Sequence, residues 1–347
     1  MNLTRLLPQR QKFLQTLFPS GVPTLWCPTL THFAPDGSID GARMQAHLNF
    51  MLPWVKGFLV GGSTGEGWEL SDTELSNCVA LVSSAVTGRD AHILVGALRP
   101  TVEAMHERIA LTVRGLKPTH HVRGSLDDLA QSSLCGFTIC APWGAQLSQD
   151  ELTKGLSEIL ALGFPTALYQ LPQVTQNEIS PATARTLSHR FGNLYVLKDT
   201  SGTDRIVESG FREVLLLRGA EGDYHKHHGS AGGAYDGFLL STANCFAYAL
   251  SRLIQDLDRG NLDSAAHTSA RLDGICSEVF ALSAQCGFGN AFTNANKALD
   301  HFFAYGPNAV NRIPPLVHSG ARLPHALIAG VGAILERFDL MPAKGYL

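Results

Sequence analysis

Eight short apolar runs, most of them separated by a helix-like stretch, constrain this chain more than any other feature. They fall near 22–30, 55–62, 91–98, 135–142, 165–172, 194–200, 214–220 and 235–242, and many end in Gly, Pro, Ser or Thr. Near-continuous Val, Ile and Leu suit parallel strands buried on both faces. The stretches between carry helix signals. Asp72 opens one after a Gly-rich loop, Ser148 with Glu151 fits a capping box, and Ser180-Pro181 puts proline at a first helical position. Eight β/α units in series, joined by right-handed crossovers, predict an α/β fold of the closed (β/α)8 TIM barrel type with a C-terminal helical extension. An open doubly wound sheet is the structural alternative. The expected layout is a docking segment over 1–20, the barrel over 21–244 and the helical extension over 245–347. The polar stretch 115–134, with Pro118, His120, His121 and Gly124, breaks the rhythm and reads as a surface excursion.

Composition excludes several classes. A net charge of -3 over 347 residues leaves no electrostatic footprint for nucleic acid or an anionic membrane. No apolar run reaches the ~18 residues of a transmembrane helix, and the stretch from Ala326 to Leu335 reads as a buried helix. The seven cysteines are odd in number, scattered and without a CxxC pair, so reduced thiols in a cytoplasmic protein are expected, with no metal site. Arg5, Arg10 and Lys12 stand among leucines near the start, which suggests an amphipathic docking helix rather than a secretory signal.

The chemistry gathers at the strand ends. Lys198 closes the apolar run that contains Tyr195, Val196 and Leu197. A lysine in such a place loses solvation, which lowers its pKa and leaves an amine able to attack a ketone. Tyr169 ends the preceding run, and Gly62-Ser63-Thr64-Gly65 follows the second. In a (β/α)8 barrel all three converge on one mouth. Backbone N–H groups of Gly62–Gly65, with the Ser63 and Thr64 hydroxyls, suit the carboxylate of a 2-oxo acid. Lys198 would form an iminium with the ketone, and Tyr169 would shuttle protons. Each feature alone has a plainer reading: a salt-bridged lysine, a core tyrosine, a simple turn. Glu66 reads as a structural hydrogen-bond partner rather than an acid–base group.

On these residues the chain resembles the dihydrodipicolinate synthase/N-acetylneuraminate lyase family of class I, pyruvate-handling aldolases and dehydratases. The matching stretches are Gly62-Ser-Thr-Gly-Glu66 with Leu70, Ser71 and Glu74, then Tyr169-x-x-Pro172, then Leu197-Lys-Asp-Thr-Ser-Gly202. Gly233-Ala-Tyr-Asp-Gly237, Thr242-Ala-Asn244, Ala295-Asn-Lys297 and Pro314-Pro-Leu316 extend the likeness to about residue 340. The resemblance implies Lys198 as the Schiff-base lysine, Tyr169 as proton shuttle and Ser63 and Thr64 as carboxylate binders. It also implies a homo-oligomer, tetramer or dimer, and no cofactor beyond the covalent Schiff base.

The departures bear on substrate. Val174 stands where the synthase branch carries an arginine for a second carboxylate. Pro142-Trp143-Gly144 replaces Pro-Tyr-Tyr, removing the tyrosine that reaches a neighbouring subunit's site. Gln170 replaces an Asn, and Leu240 stands where sugar-acid lyases carry a hydroxyl residue. Dihydrodipicolinate synthase activity is therefore not expected. The expected catalytic set is Lys198, Tyr169 and Ser63. The expected substrate-binding set is Ser63, Thr64, Gly62, Gly65, Gly219, Glu221, Leu239 and Trp143. His225, His227 and His228 read as surface histidines, with substrate contact second. Glu221 or Asp223 is expected to meet substrate hydroxyls. Three functions fit: a class I aldolase acting on pyruvate and an aldehyde, a Schiff-base dehydratase of a 2-keto-3-deoxy sugar acid, and a non-catalytic 2-oxo-acid-binding barrel.

Overall fold

In the computed structural model, which describes residues 3–120 and 133–347, the eight apolar runs become eight parallel strands closed on themselves. The first elements are α1 (Pro8–Leu17), β1 (Leu25–Pro28), α2 (Gly41–Met51), β2 (Gly57–Val60), α3 (Asp72–Val86), β3 (His92–Gly96) and α4 (Val102–His120). Next come β4 (Leu134–Cys140), α5 (Gln149–Leu160), β5 (Thr166–Gln170), the single turn α6 (Pro172–Thr175), α7 (Pro181–Arg190) and β6 (Leu194–Asp199). Then follow α8 (Arg205–Glu208), β7 (Leu215–Arg218), α9 (Tyr224–His227) and β8 (Gly237–Leu239). Four longer helices complete the chain: α10 (Ala243–Asp258), α11 (Leu262–Ser283), α12 (Ala291–Tyr305) and α13 (His325–Arg337).

Closure is what separates this barrel from the open sheet. β8 returns to β1 through Leu25 opposite Phe238 and Trp26 opposite Leu239. Among the described residues no strand is left with an unpaired edge. Alternate residues point inward, and the lower interior layer holds Trp26, Leu59, Leu94, Ala167, Val196, Leu217 and Leu239. Gly57 makes room there, since a Cβ on it would lie 2.1 Å from the Trp26 ring. Two register shifts, one between Ile93 and Leu94 against β4 and one between Thr166 and Ala167 against β6, leave Cys135 and Tyr195 outside the pairing. Both join that interior cluster, and the Tyr195 hydroxyl donates to Cys135 O at 2.9 Å.

The amino-terminal end of the barrel is covered by α1, whose Leu14 and Leu17, with Leu6 and Phe18, join the same interior cluster. Buried Arg10 donates to Ser188 O at 2.8 Å and Glu213 O at 2.6 Å. Helix starts follow the sequence signals. Ser71 with Glu74, and Ser148 with Glu151, form reciprocal capping boxes at α3 and α5. The polar stretch 115–134 lies largely outside the described residues: α4 reaches His120 and β4 begins at Leu134. Among the described residues no helix is long and apolar enough to cross a membrane. All seven cysteines are free thiols, and only Cys286 is not fully buried.

Candidate active site

The strands run in one direction, so their carboxyl ends share one face, and a cavity of about 560 Å³ opens there. Inward alternation places its groups. Two residues beyond Ala167, Val196, Leu217 and Leu239 of the lower layer stand Tyr169, Lys198, Gly219 and Ser241, and all four line the cavity. Ser63 and Thr64 reach it from a 3-10 turn after β2.

Lys198 is 4% exposed, and its Nζ sits 3.8 Å from the centroid of the Tyr169 ring. Among the described residues no carboxylate lies within ion-pair distance of it. Burial lowers its pKa to about 7, against the opposing pull of Cys140, Glu221 and Cys27. The Cys140 and Cys27 thiols are themselves pushed up by burial and are neutral near pH 7, so Glu221 is the anion that counts. The neutral amine is therefore accessible near neutrality. Gly219 is required beside it: a Cβ there would lie 2.7 Å from Lys198 Cε and 2.2 Å from Thr200 Oγ1.

Burial raises the Tyr169 pKa, with neighbouring Cys140 adding to the rise and the Thr200 and Ser63 hydroxyls opposing it. The phenol is thus a held proton within reach of two hydroxyls. Ser63 Oγ accepts a hydrogen bond from Trp68 Nε1 at 2.6 Å. An indole can only donate, so the Ser63 proton is directed elsewhere, toward the Tyr169 side of the cavity.

The Gly-rich turn is tied from several directions. Gly65 N and Gly67 N both donate to Gly62 O at 3.0 Å, and Glu66 N donates to Ser63 O. The amides of Ser63 and Thr64 stand at the start of the turn, where a helical turn leaves its first N–H groups without intrahelical partners. Thr293 Oγ1 of α12 donates to Ser63 O at 3.2 Å and Thr64 O at 3.1 Å. Glu66, at positive φ, accepts from Lys297 Nζ and from His318 N at 2.7 Å, a structural role. On the outer side buried Arg108 donates to Gly67 O at 2.8 Å and pairs with Asp72.

Three expected binding residues do not line the cavity. Leu239 points inward one layer below, and Ser241 holds the place at the mouth. Gly62 and Gly65 serve packing instead: a Cβ would lie 2.9 Å from Leu59 Cδ2 at the first and 2.3 Å from Thr29 O at the second. Glu221 lines the cavity but is saturated by Ser241 Oγ, Thr242 N, Thr242 Oγ1 and Tyr224 OH, at 2.7–3.0 Å. The hydroxyls it meets are the protein's own. Asp223 pairs with Lys226 at 2.6 Å, and none of His225, His227 and His228 lines the cavity. Leu240 is in the core, and the hydroxyl beside it is that of Ser241.

Trp143 lines the cavity as expected, its ring 5.3 Å from that of Trp68. Trp68, Thr200, Leu171, Phe280 and Phe292 also line it and were not anticipated. Strand alternation points to Thr200, two residues after Lys198. Phe280 and Phe292 arrive from α11 and α12, where strand-end reasoning carries no signal.

One group of potential metal ligands stands elsewhere among the described residues: His32, His47 and Asp300. It is a structural network, because Asp300 already pairs with Arg43 and accepts from Tyr346 OH at 2.7 Å. Burial lowers both histidine pKa values, which keeps the rings neutral.

Fold and cavity together define a closed parallel barrel with a buried, unpaired lysine and a tyrosine at the carboxyl ends of adjacent strands. Residues 23–295 match the dihydrodipicolinate synthetase family, and the chain belongs to it. Curated relatives are distant. Chloroplastic 4-hydroxy-tetrahydrodipicolinate synthase of Glycine max is 24% identical over 196 residues, 56% of this chain and 53% of that protein. The 4-hydroxy-tetrahydrodipicolinate synthase of Methanocaldococcus jannaschii is 24% identical over 165 residues, 47% and 51% of the two chains. The chain thus spans about half the length of the curated relatives it matches. Among solved structures, YagE of E. coli K12, a prophage protein of the dihydrodipicolinic acid synthase family in complex with pyruvate, gives a TM-score of 0.71 at 19% identity, covering 92% of this chain and 99% of its own. A monomeric dihydrodipicolinate synthase variant gives 0.71 at 17%, covering 92% and 97%. At these identities the structural likeness is one of fold.

Proposed function

We propose that this chain is a Schiff-base-forming lyase, a class I aldolase that makes or breaks a carbon–carbon bond beside the carbonyl of pyruvate or a related 2-oxo acid. The observation that carries this reading is the buried Lys198 amine, with a pKa lowered to about 7, over the Tyr169 ring. The Ser63 and Thr64 amides and hydroxyls receive the carboxylate of the 2-oxo acid. Neutral Lys198 attacks its ketone carbon, and Tyr169 passes the proton that lets water leave the carbinolamine. The iminium then draws electrons from the adjacent carbon, which loses a proton to give an enamine, the carbon nucleophile. No further cofactor enters the scheme. We also place the chain in the cytoplasm, on the strength of its seven free thiols, and expect a homo-oligomer.

Dehydration of a deoxy-keto sugar acid would use the same lysine. Glu221 has its four acceptor positions filled by Ser241, Thr242 and Tyr224. It has none to offer a sugar hydroxyl, which favours carbon–carbon chemistry. A merely binding barrel would have no use for a costly buried amine. The test is borohydride reduction in the presence of pyruvate, read by intact and peptide mass spectrometry. An adduct on Lys198, absent in Lys198→Ala, is expected. A folded protein that traps neither pyruvate nor a larger 2-oxo acid would refute the aldolase reading and favour the non-catalytic one.

A further inference from the structure

We infer that the second substrate of this site is an uncharged aromatic aldehyde and not a carboxylate-bearing one. The inference rests on the aldolase reading above and specifies its electrophile.

Much of the rest of the lining is apolar and rich in rings: Trp68, Trp143, Leu171, Val174, Phe280 and Phe292. Its rings are preset in pairs. Trp68 and Trp143 lie 5.3 Å apart at 50°, and Phe280 and Phe292 lie 5.1 Å apart at 80°. Tilted and edge-on arrangements like these present faces and edges to a third ring. A cavity of about 560 Å³ exceeds what a three-carbon acid fills, and such volumes hold drug-sized ligands.

Charge decides between aldehydes. Among the described residues lining the cavity, Lys198 is the one cation, and its nitrogen is neutral in the enamine that meets the aldehyde. The other charged groups in the lining are carboxylates, Glu69 and Glu221. Arginines nearby are already committed: Arg99 donates to Trp68 O and Leu70 O, and Arg108 to Gly67 O and Leu70 O. An aldehyde carrying its own carboxylate would desolvate that anion beside like charge and with no cation to receive it. An aryl group loses nothing comparable and gains apolar burial.

The reaction balances without a redox partner. Lys198 and pyruvate condense with loss of one water. The methyl carbon then gives up a proton, and the enamine carbon bonds to the aldehyde carbon. The aldehyde oxygen takes up a proton, and returning water cleaves the iminium. The Lys198 amine is regenerated and an aryl 4-hydroxy-2-oxo acid leaves, with one carbon–carbon bond formed at the expense of one carbonyl double bond.

The test supplies pyruvate with benzaldehyde, with glyoxylate or with succinic semialdehyde, and follows products by mass spectrometry. Borohydride trapping is run on the same samples. The expected result is at least tenfold higher kcat/KM for benzaldehyde than for either acid. Trapping of pyruvate with equal or better turnover of the acids, or with no aryl product, would overturn the inference and leave the aldolase reading standing. Absence of any adduct would overturn both. Val174→Arg and Phe292→Lys, on different helices (α6 and α12), should each shift the benzaldehyde-to-succinic-semialdehyde ratio tenfold or more toward the acid. That ratio does not depend on how much protein is folded, and an unchanged ratio in both variants would also overturn the inference.

Discussion

Lys198 should be a burden on stability, and Lys198→Met should relieve it. Burial lowers the Lys198 pKa from 10.5 to about 7. At ~1.4 kcal/mol for each tenfold change in proton affinity, holding the ammonium in place costs about 5 kcal/mol. Methionine keeps most of the buried stem without the charge, so the variant should be about 5 kcal/mol more stable below pH 7. The sign then changes character with pH. Above about 7 the folded chain holds a neutral amine, while the unfolded chain keeps its proton up to 10.5. The unfolded state binds more protons in that window, so wild-type stability rises relative to the variant as pH rises through it. Urea unfolding of both proteins at pH 6, 8 and 10 gives the difference, in which all other titrating groups cancel. The gap should fall by about 4 kcal/mol, from about 5 kcal/mol at pH 6 to about 1 kcal/mol at pH 10. A variant less stable than wild type at pH 6, or a gap independent of pH, would show that the amine is not desolvated as described.

Two further substitutions probe the neighbours of that amine. Tyr169→Phe keeps the ring under Lys198 but removes the hydroxyl, so the pH midpoint for trapping pyruvate should stay near 7 while the trapping rate falls about 10²–10⁴-fold; loss of the midpoint with it would contradict separate roles for ring and hydroxyl. Gly219→Ala places a methyl 2.7 Å from Lys198 Cε and 2.2 Å from Thr200 Oγ1. It should cost about 1–3 kcal/mol in urea unfolding and slow trapping at least tenfold, and wild-type behaviour in both would show that the contact relaxes freely.

The barrel was legible because fully buried parallel strands leave a direct mark: runs such as Phe58-Leu59-Val60 and Ile93-Leu94-Val95 have no polar face to write. Alternation then carries Tyr169 and Lys198 to the same mouth with little room for error. It also explains the miss at Leu239. A step of two residues along a strand is about 6–7 Å, which separates the packed layer from the layer that meets solvent. The glycines misled for a different reason. A Gly-rich turn announces close approach but not what approaches, and at Gly65 it is the carbonyl of Thr29. Phe280 and Phe292 left no sign, since nothing in a strand pattern states how a helical extension folds over the barrel mouth.

That extension belongs to the site as much as the strands do. The first turn of α12 supplies Ala291 and Phe292 to the cavity wall, and Thr293 beside them holds the carbonyls of Ser63 and Thr64. One turn further, Lys297 pairs with Glu66 and donates to Leu316 O at 2.8 Å, with both charges buried. Removing either partner would leave the other unpaired, a cost of about 3–5 kcal/mol, so the turn and the helix are locked as one body. The same few residues therefore set the position of the amide donors and the shape of the apolar wall that faces them. On the proposed function, the strands would present Lys198 to a range of carbonyl compounds. What enters beside it would be decided where α11 gives way to α12, and a change there would alter the partner's pocket and the grip on the carboxylate together.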